Sequence, residues 1–410
     1  MRSRRSVLLA LFAFGLLLCA CRKDNNVPDT LAKVPDTGLP VVYIDTESGR
    51  PVESKGINYP AVIKITGAGG YESLEPAACT VRGRGNTSWA WPKKPCRIDL
   101  SEALSLLGMP AGRHWVLLAN FPDRTLMRNL VAMKVSSLTS LEWTPSCVPV
   151  ELVMNGKHQG CYLLIEKVSV SDGYLLELDF RFDNKVQWID HHGLSRLLTG
   201  IPFAIKYPAP DDLDSGQTEY IMQYVSDAAE ALYSDAFENL QKGYAAWLDV
   251  DSFVDYWLVF ELLGNPELAN PCSIYYHKAP GCKLAAGPCW DFDCCLRSWS
   301  TSVQEWTGFV NKSSLWYARL FEDPAFADKV RQRFFELLPR LEEVADYIDE
   351  CGQLLAASAE LNFAMWNPAD DRWLNFGMLI NGDENLPFGE AVERLREVYL
   401  RRLEFLKNNL

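Results

Sequence analysis

Near Pro210 the hydrophobic pattern of this 410-residue chain changes period, and that change limits the folds open to it. Before it, short β-rich runs alternate with turn residues. Val41–Ile44, Ala61–Ile65, Cys96–Leu100, Trp115–Ala119, Tyr174–Leu178 and Phe203–Lys206 read as strands. Pro149–Met154 and Gln159–Ile165 flank Asn155-Gly156 and read as a hairpin, because Asn-Gly tolerates the two positive φ values of a type I′ turn. One helix interrupts this half, over residues 124–140, with Leu126, Leu130, Met133 and Leu138 on one face. After Pro210 apolar residues recur every three or four positions. Helices are expected over 214–233, 251–263, 325–338, 340–357 and 390–407, with a second hairpin from 273–276 and 283–286. Strands gathered ahead of helices predict an α+β fold in two lobes: a strand-rich part at about 39–209, a helix-rich part at about 210–410, and a ligand cleft between them.

The N-terminus reads as an address. Met1–Arg5 is basic and Val7–Ala20 is an apolar run of fourteen residues. As a helix the run is about 21 Å long, short of the roughly 30 Å bilayer core, so residues 1–20 are expected to be a secretory signal peptide. The run ends Leu18-Cys19-Ala20-Cys21, which resembles a bacterial lipobox with Cys21 as the lipidated residue. Ordinary signal cleavage to a soluble product is the other reading. Residues 21–38 carry Pro28 and Pro35 and are expected to be a flexible tether. The expected location is the bacterial cell envelope, lipid-anchored at the outer membrane or cell surface. Export permits disulfides. A bridge among the five cysteines from Cys272 to Cys295, and burial of most cysteines as small apolar residues, both remain open.

Asp and Glu number 53 against 40 Lys and Arg, a formal charge of -13. That balance argues against tracking a nucleic-acid backbone and favours a small-molecule site or a basic partner. Five histidines, no Cys-x-x-Cys and no Gly-x-Ser-x-Gly argue against a zinc fold and a serine hydrolase.

Four constellations carry chemistry. Arg82-Gly83-Arg84-Gly85-Asn86-Thr87-Ser88-Trp89, with Lys93-Lys94-Pro95-Cys96-Arg97, places glycines and cations where an anion can approach backbone amides. A plain glycine turn with solvated charges is the alternative. Trp290-Asp291-Phe292-Asp293 sets two carboxylates at i and i+2, which on an extended segment point the same way and suit Mg²⁺. Two solvated acids or a helix cap would look the same. Asn265-Pro266-Glu267 ends an apolar helix, with Ser273 a few residues on; it is either part of the same cleft or a C-cap. Glu166-Lys167 closes the Asn-Gly hairpin and on spacing alone is a strand-end ion pair. The polar stretch Asn120–Asn129 reads as a helix cap. Lys206 reads as a strand-end surface residue or a nucleotide lysine.

Taken in order, residues 82–89, 93–98, 115–120, 126–129, 150–168 and 287–293 resemble the spore-coat-protein-H (CotH-like) kinase family, over about Leu39 to Leu410. The lipobox is similar to that of its lipoprotein branch in Bacteroides-type bacteria. The resemblance implies an atypical protein-kinase-like fold that binds ATP and Mg²⁺ and phosphorylates Ser or Thr of a protein. It assigns metal binding to Asp291, with Asp293 beside it. It assigns phosphate contacts to Arg84, Asn86, Ser88, Lys94 and Arg97, and sets Glu166 in the nucleotide site. Kinase members carry Asn-x-Asp and then a second, metal-binding Asn. Here Glu267 takes the place of the catalytic Asp and Ser273 falls roughly at the Asn. A longer acid displaces the base by ~1 Å, enough to cost ~10²-fold in rate. The expectation is therefore an ATP/Mg²⁺-binding Ser/Thr kinase acting on a basic or Ser/Thr-rich protein. The alternative is a degenerate pseudokinase serving as an envelope binding or structural module.

Overall fold

The computed structural model describes residues 34–192, 200–297, 307–370 and 381–410. The expected signal peptide, Cys21 and most of the tether lie outside the described residues. Among the described residues no helix is long and apolar enough to cross a membrane.

The chain is α+β with its strands gathered early, as the change of period predicts. What the period does not predict is closure. Seven strands form a barrel: β1 (Val41–Thr46), β2 (Tyr59–Thr66), β3 (Leu74–Gly83), β4 (Cys96–Leu104), β5 (Gly112–Leu118), β6 (Cys147–Met154) and β7 (Lys157–Glu166), in the order β1-β2-β3-β4-β5-β7-β6. A parallel contact of β1 with β6, Val41 opposite Glu151, shuts the barrel and leaves no free sheet edge. β2 shows why such a wall forms: Tyr59, Ala61, Ile63 and Ile65 are buried on alternate positions. β7 is apolar on both faces because it divides two cores. Tyr162 and Leu164 pack with the barrel interior, and Cys161, Leu163 and Ile165 with the main helical core. Asn155 (φ 50°) and Gly156 (φ 71°) turn the β6–β7 hairpin in the left-handed region, as expected of Asn-Gly.

A second antiparallel sheet holds β8 (Tyr174–Leu178), β9 (Gln187–Asp190), β10 (Ile201–Tyr207), β11 (Ile274–Lys278) and β12 (Ala285–Ala286), in the order β12-β11-β8-β10-β9. The second hairpin is thus present, and β11 docks on β8 to extend the first half's strands into the second half. β3 and β9 escape the sequence reading. β3 opens Leu-Glu-Pro-Ala-Ala, a poor β pattern, and Pro76 sits in the stretch that pairs only with β2.

The helices are α1 (Thr87–Ala90), α2 (Arg128–Ser137), α3 (Ser215–Tyr233), α4 (Val250–Leu262), α5 (Tyr317–Leu320), α6 (Pro324–Glu342), α7 (Val344–Met365) and α8 (Phe388–Asn409). α3 begins with a capping box between Asp214 and Gln217. α4 is buried from Phe253 to Leu262, so it forms the centre against which α2, α6 and α8 pack. Two expected boundaries move. The helix read from residue 124 begins at Arg128, because the Asp123 carboxylate accepts the Arg128 backbone N–H. α6 runs through Pro339 rather than stopping before it. All ten cysteines of the folded part are free thiols, so the disulfide reading is set aside in favour of burial.

A polar seam fixes α7 to the barrel. Lys93 is fully buried. Its Nζ donates to Ala119 O at 2.9 Å, to Asn362 Oδ1 at 2.8 Å and to the Cys161 carbonyl. Burial pushes its pKa down to about 8. Asn362 Oδ1 also accepts from Cys161 N at 3.2 Å. A Cβ on Gly160 would lie 2.6 Å from that oxygen, so the position requires glycine. Asn362→Ala leaves the buried ammonium and an amide short of an acceptor. We expect a loss of about 1–3 kcal/mol in urea denaturation.

Candidate functional site

A cleft of about 900 Å³ opens where the barrel, the second sheet and the loops after α4 and β12 meet. Its walls carry opposite charge. From the barrel come Lys55, Arg82, Arg84 and Arg97; from the loops come Glu267, Asp291 and Asp293. Glycine shapes the basic loop. A Cβ on Gly83 would lie 2.3 Å from the Trp89 ring, and Gly85 adopts φ +88°. The Arg84 guanidinium sits 5.5 Å over the Trp290 ring, which ties the basic loop to the aspartate segment.

The acidic loops are braced from behind by amides and one arginine. Asn265 Oδ1 accepts Glu267 N at 3.0 Å, and its Nδ2 donates to Asp291 O at 3.3 Å, joining the two loops. Asn129 Oδ1 accepts Phe292 N at 2.9 Å, and Asn129 Nδ2 donates to Asn120 Oδ1 at 3.2 Å. Phe292 is buried against Phe260, ring centres 4.6 Å apart. Arg128, wholly buried, pairs with Asp123 and Asp383 and donates from Nε to Cys295 O at 2.9 Å. Asn381 Nδ2 donates to Asp293 O at 3.0 Å. So held, Asp291 keeps φ +65°, a conformation unusual outside glycine and frequent where geometry serves a site.

Crowding dominates the electrostatics. Burial, then the Asp291 and Asp293 carboxylates, push Glu267 well above the usual carboxylate range. Asp293 is raised in the same way, by burial and then by the neighbouring Asp291 carboxylate. Glu267 Oε2 is shut off from solvent and has no hydrogen-bond partner. A carboxylate oxygen of Glu267, one of Asp291 and Cys272 Sγ lie within 4.8 Å of one another. Arg181 is the nearby cation: Nη1 reaches Asp179 Oδ2 at 3.0 Å and Cys272 Sγ at 2.7 Å.

Of the residues expected from sequence, Arg84, Asn86, Ser88, Arg97, Glu267, Ser273, Asp291 and Asp293 all line the cleft. Arg97 is partly engaged by Asp99 at 2.7 Å. Lys94 and Glu166 do not line it. Lys94 Nζ donates to Trp89 O at 2.7 Å, and Glu166 Oε2 accepts Ser146 N at 2.7 Å. Lys94 thus bonds within its own loop, and Glu166 bonds to Ser146, the residue before β6. Lys167, one residue on, does reach the cleft, and burial with Arg97, Lys206 and Arg84 lowers its pKa to about 8. Lys206 lines the cleft too and pairs with Glu177 at 2.8 Å. The helix-cap stretch from Asn120 to Asn129 proves to be the brace behind the aspartates.

Residues 81–406 match the family described as CotH kinase protein, which spans most of the chain, and the chain belongs to that family. No curated protein matches it. Kinase catalytic loops set a second metal ligand five residues after the catalytic acid. The fifth residue after Glu267 is Cys272, and its Sγ stands within 4.8 Å of carboxylate oxygens of Glu267 and Asp291, while Ser273 lines the same cleft.

Two outcomes are expected. Arg128→Met strands two buried acids and should cost about 3–5 kcal/mol in chemical denaturation. The second concerns pH. Glu267 and Asp293 hold protons in the folded chain at pH values where the unfolded chain has released them. Their contribution to stability is therefore full below the ordinary carboxylate pKa and is lost as pH rises through the raised values. With chelator present, melting temperature should fall as pH rises above the ordinary carboxylate range, and less steeply in Asp291→Asn, which removes one like charge.

Proposed function

We propose that this chain is an exported, lipid-anchored CotH-type protein kinase of the bacterial cell envelope, with a bilobal kinase-like arrangement. It binds ATP with Mg²⁺ in the cleft and transfers phosphate to Ser or Thr of a basic or Ser/Thr-rich protein. The observation that carries this reading is the division of charge across one cleft. Cations on a glycine loop and three carboxylates line the same cleft, the mixed charge that a nucleotide's phosphates with their cation would meet. Export and the lipid anchor at Cys21 rest on the signal sequence and lipobox, and exclusion of nucleic acid on the acidic charge.

The residues fit a divalent cation. The orphaned Glu267 Oε2 and the neighbouring Asp291 and Asp293 carboxylates offer oxygen ligands where acids crowd together. Asp291 and Asp293 would hold Mg²⁺, which when bound neutralises charge on phosphate oxygens. Arg84 and Arg97 orient the phosphates, with Asn86 and Ser88 as neutral donors. Glu267 accepts the proton of the attacking hydroxyl. Glu267 in the place of the catalytic Asp favours a second reading, a pseudokinase that binds nucleotide without transferring phosphate, since the longer acid displaces the base.

The deciding experiment combines melting with labelled-phosphate transfer. ATP with Mg²⁺ should raise the melting temperature of the wild type and leave Asp291→Ala, itself folded, unmoved. Glu267→Gln should keep the rise and lose roughly 10²–10⁴-fold in transfer. A rise without transfer in the wild type establishes the pseudokinase, and no rise at all rejects the nucleotide site.

A further inference from the structure

One side chain at the acidic end of the cleft does not suit Mg²⁺. Cys272 is buried, and its Sγ lies within 4.8 Å of carboxylate oxygens of both Glu267 and Asp291. Ligand atoms around tetrahedral zinc stand roughly 3.3–3.8 Å apart, so a shift of about 1 Å would close three donors on one ion. A second, independent observation points to a ligand: Glu267 Oε2 is sealed from solvent without a partner. Around it stand the acids Glu267, Asp291, Asp293 and Asp179, with Arg181 as the facing cation.

We propose that Cys272 is a ligand in a cation site with Glu267 and Asp291, and that this site takes a zinc-class cation (Zn²⁺, Co²⁺ or Cd²⁺) in preference to Mg²⁺. The inference rests on the cleft being a cation site, as in the proposed function, and specifies which cation it selects. The physical reason is ligand softness. Carboxylate and water suit Mg²⁺, whereas a thiolate favours zinc-class ions, and two carboxylates with one thiolate make a mixed set for a borderline cation. Binding breaks the Cys272 S–H bond, forms a metal–sulfur bond and releases the proton to solvent. Three protein donors leave one position open toward the cleft for an oxygen ligand. Arg181, 2.7 Å from Cys272 Sγ, keeps the sulfur turned toward the acids.

The test uses the purified full chain and the metals alone, beside Cys272→Ser, Cys272→Asn and the control Cys294→Ser, which alters another cysteine of the same cleft. Co²⁺ should give a near-ultraviolet thiolate-to-cobalt charge-transfer band in the wild type and in Cys294→Ser, and none in either Cys272 variant. Cd²⁺ should bind the wild type more tightly than Mg²⁺, and both Cys272 variants should weaken Cd²⁺ by at least the ~10-fold that loss of an outer-shell partner already costs. Cys272→Asn should gain Mg²⁺ affinity. Equal cobalt spectra with and without Cys272, or Cd²⁺ bound no better than Mg²⁺, overturn the inference. If neither variant folds, alkylation of the wild type read by peptide mass decides the point: Zn²⁺ should shield Cys272 where Mg²⁺ does not, and equal labelling rejects the ligand. The two readings fail separately. Stabilisation by ATP with Mg²⁺ but no sulfur ligation removes only the Cys272 assignment. Sulfur ligation without any nucleotide effect removes the kinase reading and leaves the metal site.

Discussion

A fully buried guanidinium holds the working end of this protein together. Arg128 lies at the first turn of α2, where its own backbone N–H is capped by Asp123. Its side chain pairs with that same aspartate, with Asp383 near the start of α8, and with the carbonyl of Cys295 just past the aspartate segment. One residue thereby fixes three stretches of chain that are far apart in sequence. A charge buried in this way is tolerated only when its donors are satisfied together, so the three stretches take their positions as a unit.

The cleft inherits its character from that arrangement. The loop before β11 and the segment after β12 are brought close by Asn265, which bonds to both. Three carboxylates then crowd into a partly dry space, raising the pKa of two of them. Opposite them, the glycine loop of the barrel presents arginines, one stacked on Trp290. Walls of opposite charge suit an occupant of mixed charge, the character of the nucleotide and cation proposed for the cleft. The Cys272 thiol modifies this picture from within by adding a soft donor to a hard set.

Much of the secondary structure was legible because it rests on local rules. Asn155-Gly156 marked a hairpin, the helix expected from residue 214 starts at Ser215 with Asp214 as its cap, and the β-rich run Ala61–Ile65 lies within β2. β3 was not legible, since its Leu-Glu-Pro-Ala-Ala opening earns its place only by lying between two neighbours. The run through Pro339 was hidden because proline statistics favour a break there and tertiary packing overrode them. In the site, Arg84, Glu267, Asp291 and Asp293 were found from motif and order. Lys94 and Glu166 belong to the same motifs yet bond to Trp89 and Ser146 outside the cleft, a choice of rotamer and neighbour that spacing does not record.

By itself, then, the sequence determined the order of strands and helices, the family, and the residue types that meet in the cleft, because each follows from short-range periodicity, turn chemistry or motif. Only the tertiary structure decided that the early strands close into a barrel through β1 and β6, that β11 joins β8, and that Cys272 stands with Glu267 and Asp291. Those outcomes depend on contacts between residues tens to hundreds of positions apart. Such contacts are set by which surfaces bury one another and which buried polar groups find partners, and neither is encoded in any single window of the chain.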